Sequence, residues 1–195
     1  MSLRKSIAVV TLGLALAGCA SLAPVPPGET VIASRVVVQV DGAWNRLPNM
    51  NGPAHLTSWT VDGHSLDLLQ FRVGVKDGEL LAANPPNAKD ARPLVFRASM
   101  QPHEIVGLFE GLATRDGSTF TLERLEPAPF LGGQGFRFQF TVLRKSDEVR
   151  LAGSGWALVR DGQLHAMTFV APRLGFYPRH ITRVEAMAHA ARLRS

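Results

Sequence analysis

Between residues 135 and 144 the chain alternates strictly: Phe136, Phe138, Phe140 and Val142 are apolar, and Arg137, Gln139 and Thr141 between them are polar. A period of two puts three aromatic rings on one face and predicts a half-buried strand. Runs rich in β-branched and apolar residues at 31–40 and 66–75 predict two further strands. The runs 149–159 and 164–170, joined by Arg160-Asp161-Gly162-Gln163, predict a hairpin. Asp-Gly pairs at 41–42, 62–63, 77–78, 116–117 and 161–162 suit tight turns, so neighbouring strands should pair antiparallel.

Two stretches follow the helical period instead. Pro102 fits a first helical position and Glu104 the positive amino end, with Ile105, Leu108, Phe109 and Leu112 on one stripe up to about Thr114. After Pro178, the residues Ile181, Val184, Met187, Ala188 and Ala191 form a second stripe, with Arg183, Glu185, His189 and Arg192 on the wet side. The predicted fold class is α+β, a largely antiparallel β-sheet covered by two amphipathic helices.

The amino end has a different pattern. Arg4 and Lys5 precede an apolar run from Ile7 to Leu16, and Leu16-Ala17-Gly18-Cys19 closes it. The run is too short to span a bilayer comfortably. This stretch resembles a bacterial lipoprotein signal with its lipobox, because leader, apolar core and L-A-G-C occur in the expected order. The resemblance implies that residues 1–18 are removed and that Cys19 carries a diacylglyceryl thioether, holding the chain to a membrane. At roughly 0.8 kcal/mol per buried methylene, two or three acyl chains anchor stably. An uncleaved membrane anchor, or a secretory signal cut elsewhere, is the alternative. Position +2 is Ala20 and not Asp, which under the enterobacterial sorting rule implies the outer membrane.

After Cys19 the segment 20–30 carries Pro24, Pro26, Pro27 and Gly28 and reads as an extended tether. Residues 19–30 are therefore assigned to the lipidated cysteine and its tether, and 31–195 to a single globular domain. Composition sharpens the picture. The chain has 195 residues, 46% hydrophobic and 19% charged, with net charge +5, which suits one folded domain. Without Arg4 and Lys5, 19 of the 21 basic side chains face 16 acidic ones, a net +3. The basic residues stand singly, with no run of four to make a nucleic-acid stripe, so no nucleic-acid partner is expected. Cys19 is the single cysteine, so no intramolecular disulfide can form.

The search for chemistry assembles no catalytic, cofactor-binding or metal set. Ala152-Gly153-Ser154-Gly155-Trp156 fails the spacing of a nucleophile elbow and lies in a predicted strand, where glycines admit a bulge or an aromatic neighbour. The histidines His55, His64, His103, His165, His180 and His189 form no ligand pair at helical or hairpin spacing. The glycines at 132, 133 and 135 precede a strand and lack phosphate-loop spacing. The pairs Asp147-Glu148 and Glu123 with Glu126 suit solvated faces. Trp44, Trp59 and Trp156 read as core pieces before they read as a pocket lining. The loop 171–180, with Arg173, Phe176, Tyr177, Arg179 and His180, sets aromatics beside cations and is the candidate partner surface.

Trp44-Asn45, Trp59-Thr60-Val61-Asp62-Gly63, Leu125-Glu126-Pro127, Gly135-Phe136-Arg137-Phe138 and Ala171-Pro172-Arg173 resemble uncharacterised proteobacterial lipoproteins similar to PsbP- and Mog1-type folds. The resemblance implies a topology and no functional residue. Anchor, tether and missing catalytic set together predict a periplasm-facing accessory protein on the outer membrane, binding an unknown envelope protein or a small apolar ligand without a cofactor. An envelope enzyme of unfamiliar type is the alternative, supported if several of His165, Arg173, His180 and Glu126 share a cleft. A structural role in envelope integrity is the third.

Overall fold

The computed structural model describes residues 22–49, 52–84 and 92–194. Cys19 and the leader lie outside the described residues. The predicted α+β class is what the structure shows. One eight-stranded antiparallel sheet runs, in spatial order, β1 (Ala23–Val25), β4 (Trp44–Leu47), β5 (Leu56–Thr60), β6 (Leu68–Lys76), β10 (Gln163–Pro172), β9 (Arg150–Arg160), β8 (Gly133–Leu143) and β7 (Thr119–Phe130). A small sheet follows the order β11 (Arg192–Leu193), β3 (Val36–Val40) and β2 (Gly28–Ile32). Among the described residues two helices pack on the sheet, α1 (Pro102–Ala113) and α2 (Phe176–Ala190).

Each face of the large sheet carries its own core. On one side Phe136, Phe138, Phe140 and Val142 of β8 meet Ile105, Val106, Leu108 and Phe109 of α1, with Leu81, Leu94 and Phe96 from the connection before it. On the other, Trp44, Trp59, Phe71, Trp156 and Phe169 pack under Val184, Met187 and Ala188 of α2 and under Val36, Val38 and Val40 of the small sheet. The period-two pattern of β8 is thus realised as read: all four of its apolar positions are buried. In α1, Pro102 opens the helix and the Glu104 carboxylate accepts the Gln101 backbone N–H at 2.7 Å, closing the amino end.

Gly74 decides how β6 serves both faces. Val73 pairs with His165 and Val75 with Leu164, leaving Gly74 as the extra residue of a bulge, at φ 76°. Val73 accordingly joins the α2 face and Val75 the α1 face, although two residues apart on a regular strand share a side.

The structure corrects three sequence-based boundaries. Ala23–Val25 and Gly28–Ile32 are strands inside the segment read as a tether, and Val25 is buried, so the folded body begins before Val31. Pro24 allows this because β1 is an edge strand, where a missing N–H costs no ladder bond, and Pro26 and Pro27 fall between the two strands. The single run 31–40 is instead a hairpin: Ala33 and Ser34 take φ of 47° and 59°, and Arg35 N donates to Ile32 O at 3.0 Å. No glycine or asparagine marks that turn, so composition cannot show it. Helix α2 begins at Phe176, before Pro178, which is tolerated because a first-turn residue needs no N–H donor.

Candidate functional site

The loop singled out in the sequence becomes the first turn of α2 and the residues leading into it. Arg173 is exposed, and its backbone N–H donates to Arg150 O at 2.9 Å. Tyr177 stacks on Phe169 with ring centroids 5.9 Å apart, and its hydroxyl lies 2.9 Å from the Ser154 hydroxyl. Arg179 lies over the Phe176 ring at 5.1 Å and pairs with Asp62 at 3.6 Å.

His180 is buried. Its Nδ1 accepts from Arg183 at 2.7 Å, so its Nε2–H donates to Asp62 at 2.6 Å. Beside it Asp67, also buried, accepts from the Thr60 hydroxyl at 2.8 Å, Val61 N at 2.8 Å and Asp62 N at 2.7 Å. This network pins the 61–67 loop against α2. Both ring nitrogens of His180 are thereby engaged.

The four residues named for an enzyme do not share a cleft. Glu126 on β7 lines a surface cavity with Gln101, Pro102 and His103. His165 lines another with Arg35, Arg160, Asp161 and Gln163. His180 faces Asp62, and Arg173 lies in the turn after β10. Burial, and then the nearby Arg35 charge, lower the His165 pKa. Among the described residues the Ser154 hydroxyl meets the Tyr177 hydroxyl and no base. Its flanking glycines serve packing: a Cβ on Gly153 or Gly155 would lie 2.2 Å from the Phe140 or Phe138 ring. The three tryptophans are core residues, as read. The indole N–H groups of Trp44 and Trp59 are buried without an acceptor among the described residues.

The arrangement that the sequence reading missed lies on the α1 face. There α1 stands over the sheet but leaves a cavity of about 220 Å³. Its apolar walls are Leu68, Phe109, Leu112, Phe140, Leu151 and Val170. Arg72 of β6 lines it, only 2% exposed, with the guanidinium carbon 5.5 Å from the Phe109 ring centroid. Among the described residues no carboxylate pairs with it; Nη2 donates to Gln70 Oε1 at 3.2 Å, and Nε is buried without a partner. Desolvation pushes its pKa down to about 10, still charged at neutral pH.

A buried guanidinium without a counter-ion costs several kcal/mol of lost hydration. The other charges at the cavity are already engaged. Arg144 forms a two-pronged pair with Asp147 at 2.7 and 2.8 Å, and Asp116 accepts from Ser118 N at 2.9 Å. Those contacts hold the Asp116 and Asp147 carboxyls below the usual range, through Ser118 and Arg144 respectively. Sequence could have hinted at Arg72 only through its place in Leu68-Leu69-Gln70-Phe71-Arg72-Val73, where alternation leaves it opposite the Phe71 face.

No protein-family model matches the sequence, and no curated protein matches it. Among solved structures, that of cyanobacterial PsbP (CyanoP) from Synechocystis sp. PCC 6803 matches with TM-score 0.58 at 12% identity, over 95% of this chain and 99% of that chain. The crystal structure of LpqN, involved in cell envelope biogenesis of Mycobacterium tuberculosis, matches with TM-score 0.40 at 10% identity, over 90% and 91% of the two chains. At 12% identity the likeness to CyanoP is one of fold. The arrangement of sheet and helices in this chain is PsbP-like.

Proposed function

We propose that this chain is a lipid-anchored accessory protein of the cell envelope, facing the periplasm from the outer membrane, which binds a small apolar ligand between α1 and the large sheet. The observation that carries the reading is the cavity itself: about 220 Å³ bounded mostly by aliphatic and aromatic side chains, with a buried arginine in its wall. The lipobox-like segment ending at Cys19 supports the anchor. The exposed Arg173 and the 87% exposed Leu174 beside it leave the start of α2 as the surface for an envelope protein.

Two measurements test this. Growth with labelled palmitate should label the native protein, and Cys19→Ala should lose both label and membrane fractionation; an unlabelled wild-type chain would sink the anchor. For the ligand, calorimetric titration of octanol into the full chain in nanodiscs, against empty nanodiscs, should show saturable binding that Leu112→Trp abolishes by filling the cavity. Absence of binding by the wild-type chain would remove the ligand reading.

A further inference from the structure

The cavity is apolar almost throughout, yet Arg72 brings one whole positive charge to it. The guanidinium has five N–H donors. Among the described residues one hydrogen bond, to Gln70, is made, and the nearest aromatic face belongs to Phe109. Buried arginine in a core normally faces a carboxylate. Here the carboxylates nearby are held by other groups, Asp147 by Arg144 and Asp116 by the Ser118 backbone N–H, and among the described residues neither forms an ion pair with Arg72.

We propose, resting on the ligand reading above, that the cavity takes a small monoanionic amphiphile, an alkyl or aryl carboxylate, whose head meets the Arg72 guanidinium and whose body lies against Phe109, Phe140, Leu151 and Val170. A guanidinium matches a carboxylate in shape, two parallel N–H donors facing two oxygens, and the pair strengthens where water is excluded. One positive charge also balances one negative charge, which favours a carboxylate over a phosphate monoester. Size narrows the class. A space of about 220 Å³, somewhat more than the roughly 150 Å³ cavity that takes a benzene, suits a small acid and not a long lipid chain.

The test compares octanoate, octanol and octyl phosphate by calorimetry on the full chain in nanodiscs at neutral pH. Octanoate should bind at least tenfold more tightly than octanol and more tightly than octyl phosphate. Arg72→Met should erase the preference for octanoate while leaving octanol bound, and Arg72→Lys should restore only part of it, since an ammonium offers a point charge without the fork. Wild-type protein binding octanol as well as octanoate overturns the charge pairing but leaves the cavity reading standing. Tighter binding of octyl phosphate overturns the carboxylate assignment. If neither octanol nor octanoate binds, the cavity reading itself has failed. The wild-type comparison decides these outcomes even if an Arg72 variant does not fold.

Discussion

The two faces of the large sheet have been finished differently. On the α2 face three tryptophans fill the core, and the charged groups pair: Arg183 donates to His180, His180 to Asp62, and Arg137 to Glu185. On the α1 face four apolar side chains of β8 pack against the helix, yet a cavity remains and the Arg72 charge reaches it unanswered. Both faces set an arginine beside an aromatic ring: the half-buried Arg183 lies 4.7 Å from Trp44 and the buried Arg72 5.5 Å from Phe109. What separates them is the partner beyond the ring. Where the partner is part of the chain the arrangement serves stability, and where it is missing the arrangement is poised for something from outside.

The sharpest way to break the contrast is to open a hole in the closed face. Trp59 is fully buried, with its ring 4.9 Å from Phe71. Trp59→Ala should cost about 3–5 kcal/mol in urea denaturation, and a loss below about 1 kcal/mol would mean this face is not the stability core argued here. Next in size is Gly155→Ala on the α1 face, where the new methyl meets the Phe138 ring at 2.2 Å. It should cost about 1–3 kcal/mol by overpacking and weaken octanol binding, because Phe138 stacks on the cavity-lining Phe140.

Paired arginine replacements give smaller effects of opposite sign. Arg183→Met loses a hydrogen bond and a stacked cation and should destabilise by about 1 kcal/mol. Arg72→Met removes an uncompensated buried charge and should raise the melting temperature; a fall in both variants would erase the distinction between the faces.

The smallest effect concerns pH. His165 has a folded pKa below its ordinary 6.5, so the unfolded chain binds the proton more readily. Its contribution is therefore fully present above pH 6.5 and should decline as pH falls below it. A His165→Asn chain should show a flatter melting profile between pH 7 and pH 5.5, and identical slopes would exclude His165 as the source.

How much of this was legible in the sequence depends on the range of the interaction. The β8 alternation, the hairpin around Asp161-Gly162 and the Pro102 start of α1 are local, and all three stand in the structure. The Ala33-Ser34 turn was hidden because its residues carry no turn signature, only unusual backbone angles. His180 was noticed for its neighbours in sequence, but its role rests on Asp62, 118 positions away. Arg72 stands among the polar positions of β6, which on an uncovered strand would face water.

By itself the sequence determined the class of fold, the Asp-Gly turns, the presence of both helices and the lipobox-like amino end, because periodicity, proline, glycine and capping act within a few residues. Tertiary structure alone decided that both faces of β6 are covered, and so that an arginine from an ordinary strand pattern lies buried beneath α1 beside a cavity. Burial and charge pairing are sums over neighbours distant in the chain, and no local pattern carries them.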